Sequence, residues 1–181
     1  MARISALAAA LLLAALLGTA CGPADRLPDP TPAEAPTPTD AGAIRQLDLL
    51  KSPPVQALIR QVGGGDVDPR EIIYADLTQD GREEAIVPVS SGGTLGNLGY
   101  VVLALRSGSP VAILTVLRDR NTVGAVSLRV EDGQLVKTIG KYAPEDPFCC
   151  PSTLIRTVYY WDGSNLQVQR EEEVKVVSTK Q

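Results

Sequence analysis

From Glu71 to the C-terminus the apolar residues never recur at helical spacing. They fall in short runs at residues 71–77, 83–90, 99–106, 110–118, 125–131, 134–142, 153–161 and 165–177, rich in Val, Ile, Leu, Tyr and Thr. Such runs, bounded by turn residues, read as β-strands. The punctuation supports this. Asp80-Gly81, Ser107-Gly108-Ser109-Pro110, Asp132-Gly133 and Asp162-Gly163 are hairpin turns, in which glycine accepts a positive φ without steric cost. Pro88 cannot donate to a ladder, so its strand is an edge or is bulged there. LRVEDGQLVKT and YYWDGSNLQVQ have matching hairpin patterns, but their irregular spacing does not make a repeat architecture.

The residues before this β region have the other period. Asp40 caps a helix with Ile44, Leu47 and Leu50 on its apolar side. Ser52-Pro53-Pro54 ends it and starts a second, serine at the N-cap and Pro53 at the first helical position. Val55, Leu58, Ile59 and Val62 then form a one-faced stripe, closed by Gly63-Gly64-Gly65. The expected fold is therefore α+β: a short N-terminal helical pair packed on a mainly antiparallel meander of about eight strands. Residues 44–181 suffice for one domain and not two.

Residues 1–43 are built differently. Arg3 precedes an uncharged apolar run from Ile4 to Leu17, then Gly18-Thr19-Ala20 and Cys21. A basic start, a short apolar run and small residues make an export signal over residues 1–20. As helix the run reaches only about 21 Å, short of a hydrocarbon core of roughly 30 Å. Leu17-Gly18-Thr19-Ala20-Cys21 resembles the lipobox of bacterial lipoproteins, with Gly18 where that family usually has leucine. The resemblance implies cleavage before Cys21, a diacylglyceryl group on its thiol, and anchoring at the extracytoplasmic face of the cell membrane or the outer membrane. Two long acyl chains anchor stably where one does not. The next segment, residues 22–43, has six prolines in twenty-two residues and four acids against one base. It buries too little to repay its ordering entropy and reads as an extended disordered linker, up to about 65 Å long.

Composition excludes several functions. The domain carries fifteen Lys and Arg against seventeen Asp and Glu, and no basic patch favours nucleic acid. No histidine occurs anywhere, which removes histidine-centred hydrolysis and typical catalytic zinc sites. With one Trp, one Phe and five Tyr, a carbohydrate platform of several stacked rings is not expected.

Four segments are candidate sites. Asp76-Leu-Thr-Gln-Asp-Gly-Arg-Glu-Glu84 resembles the calcium loops of FG-GAP and VCBS-type repeats. That resemblance implies side-chain oxygens from Asp76, Thr78, Asp80 and Glu84, the Arg82 carbonyl, and a bend at Gly81. Thr78 and Glu84 stand where the family has Asp or Asn and Asp. The alternative is a plain hairpin loop, Asp76 bonding loop amides and Glu84 facing solvent. Cys149 and Cys150 are the only other thiols. They form a vicinal disulfide, remain two reduced thiols, or make a redox or copper(I) site. The glycine-rich Ser90–Tyr100 segment lacks the following helix and the lysine of a phosphate loop, and reads as a connection. Glu171-Glu172-Glu173 with Lys175 guards an edge strand against sheet pairing, and Tyr159, Tyr160 and Trp161 read as packing. The expected function is a non-catalytic, lipid-anchored envelope domain that binds an envelope protein or small ligand or has a structural role. The alternatives are thiol-redox or copper handling through Cys149 and Cys150, and a carboxylate-based hydrolase.

Overall fold

The computed structural model describes residues 38–93, 95–119, 126–147 and 149–176. The expected export signal, Cys21 and the expected linker up to residue 37 lie outside these. Among the described residues eight strands form two four-stranded antiparallel sheets, in the orders β1-β2-β3-β4 and β5-β6-β7-β8. The strands are β1 (Ile73–Ala75), β2 (Glu84–Ser90), β3 (Asn97–Arg106), β4 (Ser109–Leu117), β5 (Ser127–Glu131), β6 (Gln134–Lys141), β7 (Thr153–Trp161) and β8 (Leu166–Lys175). Each sheet is a meander, since every neighbour in space is a neighbour in sequence.

Strand periodicity builds the core. In β3, Tyr100, Val102 and Ala104 face the second sheet, and Val101 and Leu103 face the opposite way. The first set joins Ile86 and Ile113 of the first sheet to Leu128, Leu135, Tyr159 and Leu166 of the second, so the sheets pack face to face through one apolar layer. The other set, with Ala85, Val87 and Val89 of β2, packs against Ile44, Leu49, Val55 and Leu58. The first sheet is thus covered on both faces.

The expected helical pair is corrected. The one full helix is α2 (Pro53–Val62), and it starts and stops where the sequence places it. Gly63 closes it at φ 84, with Gly64 N–H bonded to Ile59 O at 2.9 Å, a Schellman-type end. The Ser52 hydroxyl does not cap α2 but donates to Leu49 O at 2.6 Å. The preceding stretch is not a helix. It consists of the single turn α1 (Pro38–Ala41) and two 3-10 turns, Ala43–Gln46 and Leu49–Lys51. Asp48 interrupts by accepting the Lys51 N–H, and Leu49, not Leu50, is the buried residue. Leu49 lies five positions after Ile44, and broken turns let both reach the sheet where a straight helix would splay them. The end of the expected linker joins this layer: Ala41 O accepts the Glu83 N–H at 2.8 Å, and the Arg45 guanidinium pairs with Glu83 and lies over the Tyr74 ring.

Pro88 lies on an inner strand, between β1 and β3, and not at a sheet edge. It is tolerated because β1 ends opposite Ile86, so on that side no strand needs the missing N–H. Two residues on, Ser90 and Asp66 exchange backbone hydrogen bonds at 2.8 and 2.9 Å, closing the gap.

Candidate functional site

The loop between β1 and β2 is organised by its own carboxylates. Asp76 Oδ1 accepts the Asp80 N–H at 3.2 Å, its Oδ2 accepts the Gly81 N–H at 2.9 Å, and Asp80 Oδ1 accepts the Arg82 N–H at 2.9 Å. Gly81 makes the bend at φ 83. Glu84 departs from the expectation of the plain hairpin: it is buried, 3% exposed, on the face of β2 that meets the second sheet. Its Oε2 accepts the Leu77 and Thr78 N–H groups at 2.7 and 3.2 Å, and the Thr78 hydroxyl reaches Oε1 at 3.4 Å. Removal from water pushes the Glu84 carboxyl up to about 7, against the opposing pull of the two amides, and Asp80 and Asp76 add a smaller push in the same direction.

Asp76, Thr78, Asp80, Arg82 and Glu84 therefore share one loop, in which Asp76, Asp80 and Glu84 each accept backbone amides. Among the described residues no group of three or more His, Cys, Asp or Glu is gathered that could hold a metal ion.

On the other side of Leu77 and Thr78 lies a cleft of about 290 Å³ between this loop and the second sheet. Gln79 lines it from the loop, Gln134 from the β5–β6 hairpin, Gln169 from β8, and Tyr159, Tyr160 and Trp161 from the end of β7. Tyr159 is buried and belongs to the core, and Trp161 packs partly against it. Tyr160 is 43% exposed. The Arg106 guanidinium sits 5.6 Å from the Trp161 ring centre and donates to Ser164 O, which fixes one side of the indole. The Gln134 amide donates to Gln169 Oε1 at 3.2 Å. Gln79 is held at φ 60, a left-handed backbone that a glutamine rarely adopts. No spacing in the sequence announces this cleft: its three glutamines come from three separate hairpin elements.

Cys149 and Cys150 form a disulfide, with Cα atoms 3.8 Å apart. Both residues are exposed. Asp146 Oδ2 closes the base of their loop, accepting the Ala143 and Ser152 N–H groups at 2.7 and 2.8 Å and the Ser152 hydroxyl at 2.9 Å. These bonds hold the Asp146 carboxyl below its usual range. Cys150 borders a hollow of about 460 Å³ with Pro151, Leu154 and Val176.

The three edge glutamates are all engaged. Glu171 accepts from the buried Thr157 hydroxyl at 2.9 Å, Glu172 pairs with Arg156 at 2.7 Å, and Glu173 pairs with Lys141. Their strand, β8, stands at the end of its sheet. The glycine-rich segment is followed by β3 and not by a helix. Among the described residues no helix is long and apolar enough to cross a membrane. Set against protein-family models, curated proteins and solved structures, the chain matches none of them.

Proposed function

We propose that this chain is a lipid-anchored extracytoplasmic domain with a binding or structural role and no catalytic one. The observation that carries this reading is the order of segments: a basic start, a short apolar run and small residues over residues 1–20, then Cys21, a proline-rich stretch and a two-sheet domain. An acylated cysteine needs a spacer to lift a folded domain off the lipid surface, and the spacer composition fits that task. The domain's own chemistry leans toward binding. It has no histidine, and the carboxylates of its acidic loop are consumed in holding backbone amides instead of facing each other across a cleft, as glycoside hydrolysis needs.

Metabolic labelling with a tagged fatty acid tests the anchor. Wild-type chain takes the label and sediments with membranes, and Cys21→Ser does neither. A mature chain that begins elsewhere than at Cys21 and stays in the soluble fraction would overturn the reading.

One observation favours a second reading, thiol exchange: the Cys149–Cys150 disulfide is exposed, and adjacent trans Cα atoms at 3.8 Å lie closer than the usual 4.4–6.8 Å or so of disulfides. Equilibration of the chain with glutathione buffers tests it. A role in exchange requires reduction within the range of thiol–disulfide catalysts, and resistance far below that range restricts the bond to a structural role.

A further inference from the structure

The geometry points to the cleft between the 76–84 loop and the end of the second sheet as a binding site for a neutral pyranose saccharide. This names a ligand class for the binding role proposed above and to that extent rests on it.

The lining selects the chemistry. Its polar side chains, Gln79, Gln134, Gln169 and Thr78, are uncharged, and no lysine or arginine is among the lining residues to hold a phosphate or carboxylate. Amides both donate and accept, which suits a ligand whose hydroxyls do the same. After the bond between Gln134 and Gln169, that pair still offers the Gln134 carbonyl, its second N–H and both N–H groups of Gln169. The amide of Gln79 has no hydrogen bond among the described residues. Beside these donors and acceptors lie two rings on opposite faces of β7, Tyr160 exposed and Trp161 against the core, and a ring face carries the negative part of the aromatic quadrupole. The C–H face of a pyranose, slightly positive and flanked by hydroxyls, complements that pairing of ring and amide. A nucleotide would need a cation among the lining residues. At about 290 Å³ the space is at the lower end of small-molecule sites, which suits one ring or the end unit of a longer chain.

The backbone of Gln79 adds an independent reason. Glycine would adopt φ 60 without the steric cost that a glutamine bears, and strained residues of this kind cluster where a side chain is used. From that position Gln79 lines the cleft. Arg106 steadies the indole opposite, so the ring needs little ordering when a ligand arrives. No acidic side chain lines the cleft, so the site binds and does not cleave.

Trp161 is the only tryptophan of the chain, so its emission reports on the cleft directly. The full chain in detergent is titrated with glucose, galactose, mannose, N-acetylglucosamine, cellobiose, maltose and di-N-acetylchitobiose. At least one of them gives a saturable change in emission. Tyr160→Ala, at an exposed position, and Gln79→Gly each weaken that sugar by about tenfold or more. Gln79→Gly does so while leaving the melting temperature unchanged or raising it, which a purely structural residue would not do. Unchanged emission with every sugar, or binding indifferent to both substitutions, overturns the proposal. The titration does not depend on acylation of Cys21, so a failed anchor and an empty cleft give different results.

Discussion

The carboxylate of Glu84 accepts the backbone N–H of Leu77 at 2.7 Å from inside the protein, joining the two ends of the β1–β2 loop beneath the apolar layer. Burial pushes this carboxyl up to about 7, so between the ordinary glutamate range and pH 7 the folded chain holds a proton that the unfolded chain has released. Stability then falls as pH rises. Urea unfolding should show a loss on the order of 2 kcal/mol between about pH 5 and pH 8. Asp68, which Arg70 holds down to about 2, has finished titrating well below that window. Glu84→Gln keeps an acceptor for Leu77 and should flatten the profile. A wild-type profile that rises across the window would refute the assignment.

The two aspartates of the loop act as caps for its turn. Asp76→Ala strips the acceptor from the Asp80 and Gly81 N–H groups, at a cost of about 1 kcal/mol given their exposure to water. Because, among the described residues, no group of three or more acids is gathered there to hold an ion, the melting temperature should be the same in millimolar calcium and in chelator. A calcium-dependent gain that Asp80→Ala abolishes would show the ion displacing the amides.

Tyr100 links the two sheets. Its hydroxyl donates to Val126 O at 3.0 Å and accepts from the Asn97 amide at 2.6 Å. Tyr100→Phe leaves a buried carbonyl unpaired and should cost about 1–3 kcal/mol in chemical denaturation. Asn97→Ala removes only a part-buried donor and should cost less.

Gly65 cannot carry a side chain. Its φ is 123, and a Cβ there would stand 2.6 Å from Ser90 O, the carbonyl that bonds Asp66. Gly65→Ala should destabilise the fold by about 2–3 kcal/mol, combining backbone strain with loss of the bridge that closes the gap beside Pro88. Gly64→Ala meets no neighbour and bears the strain of φ 120 alone, so thermal melting should rank it milder.

Thiol titration of the denatured full chain tests the sulfur assignments together. With Cys149 and Cys150 paired and Cys21 acylated, no thiol reacts before reduction and two react afterwards. One before and three after would mean that Cys21 is unmodified, and two before reduction would mean that the vicinal bond is absent.

The strands were legible because each is short, apolar and ended by a turn with one conformational need. Gly108 and Gly133 take φ 77 and 75, and Ser107 and Asp132 join them at positive φ in two-residue hairpins. That division into two sheets was not legible, since the same alternation serves one long meander or two stacked ones. The first helix failed for a different reason. Ile44, Leu47 and Leu50 have helical spacing, but tertiary contacts chose Leu49, and Asp48 found a nearer amide to bond. Around the loop, the hairpin reading has Asp76 bonding loop amides, as the structure does, yet it could not foresee the Asp80 bond to Arg82 or a buried Glu84. A carboxylate reads as a surface group until the amides that satisfy it are seen. The cleft escaped altogether, because Tyr160 and Trp161 look like packing until three distant glutamines are brought beside them.

The first sheet lies between helical turns and a partner sheet, whereas no such helical layer covers the second sheet among the described residues. Thermal fluctuations should therefore visit the molecule unequally. Amide protons of β2 and β3 will outlast the rest in hydrogen exchange, and β8, almost wholly exposed, will surrender its protons first. The cleft takes Gln169 from that most yielding strand and Gln79 from a loop rooted in the most resistant sheet. A ligand that bridges them would slow exchange along β8 while leaving β3 unaltered.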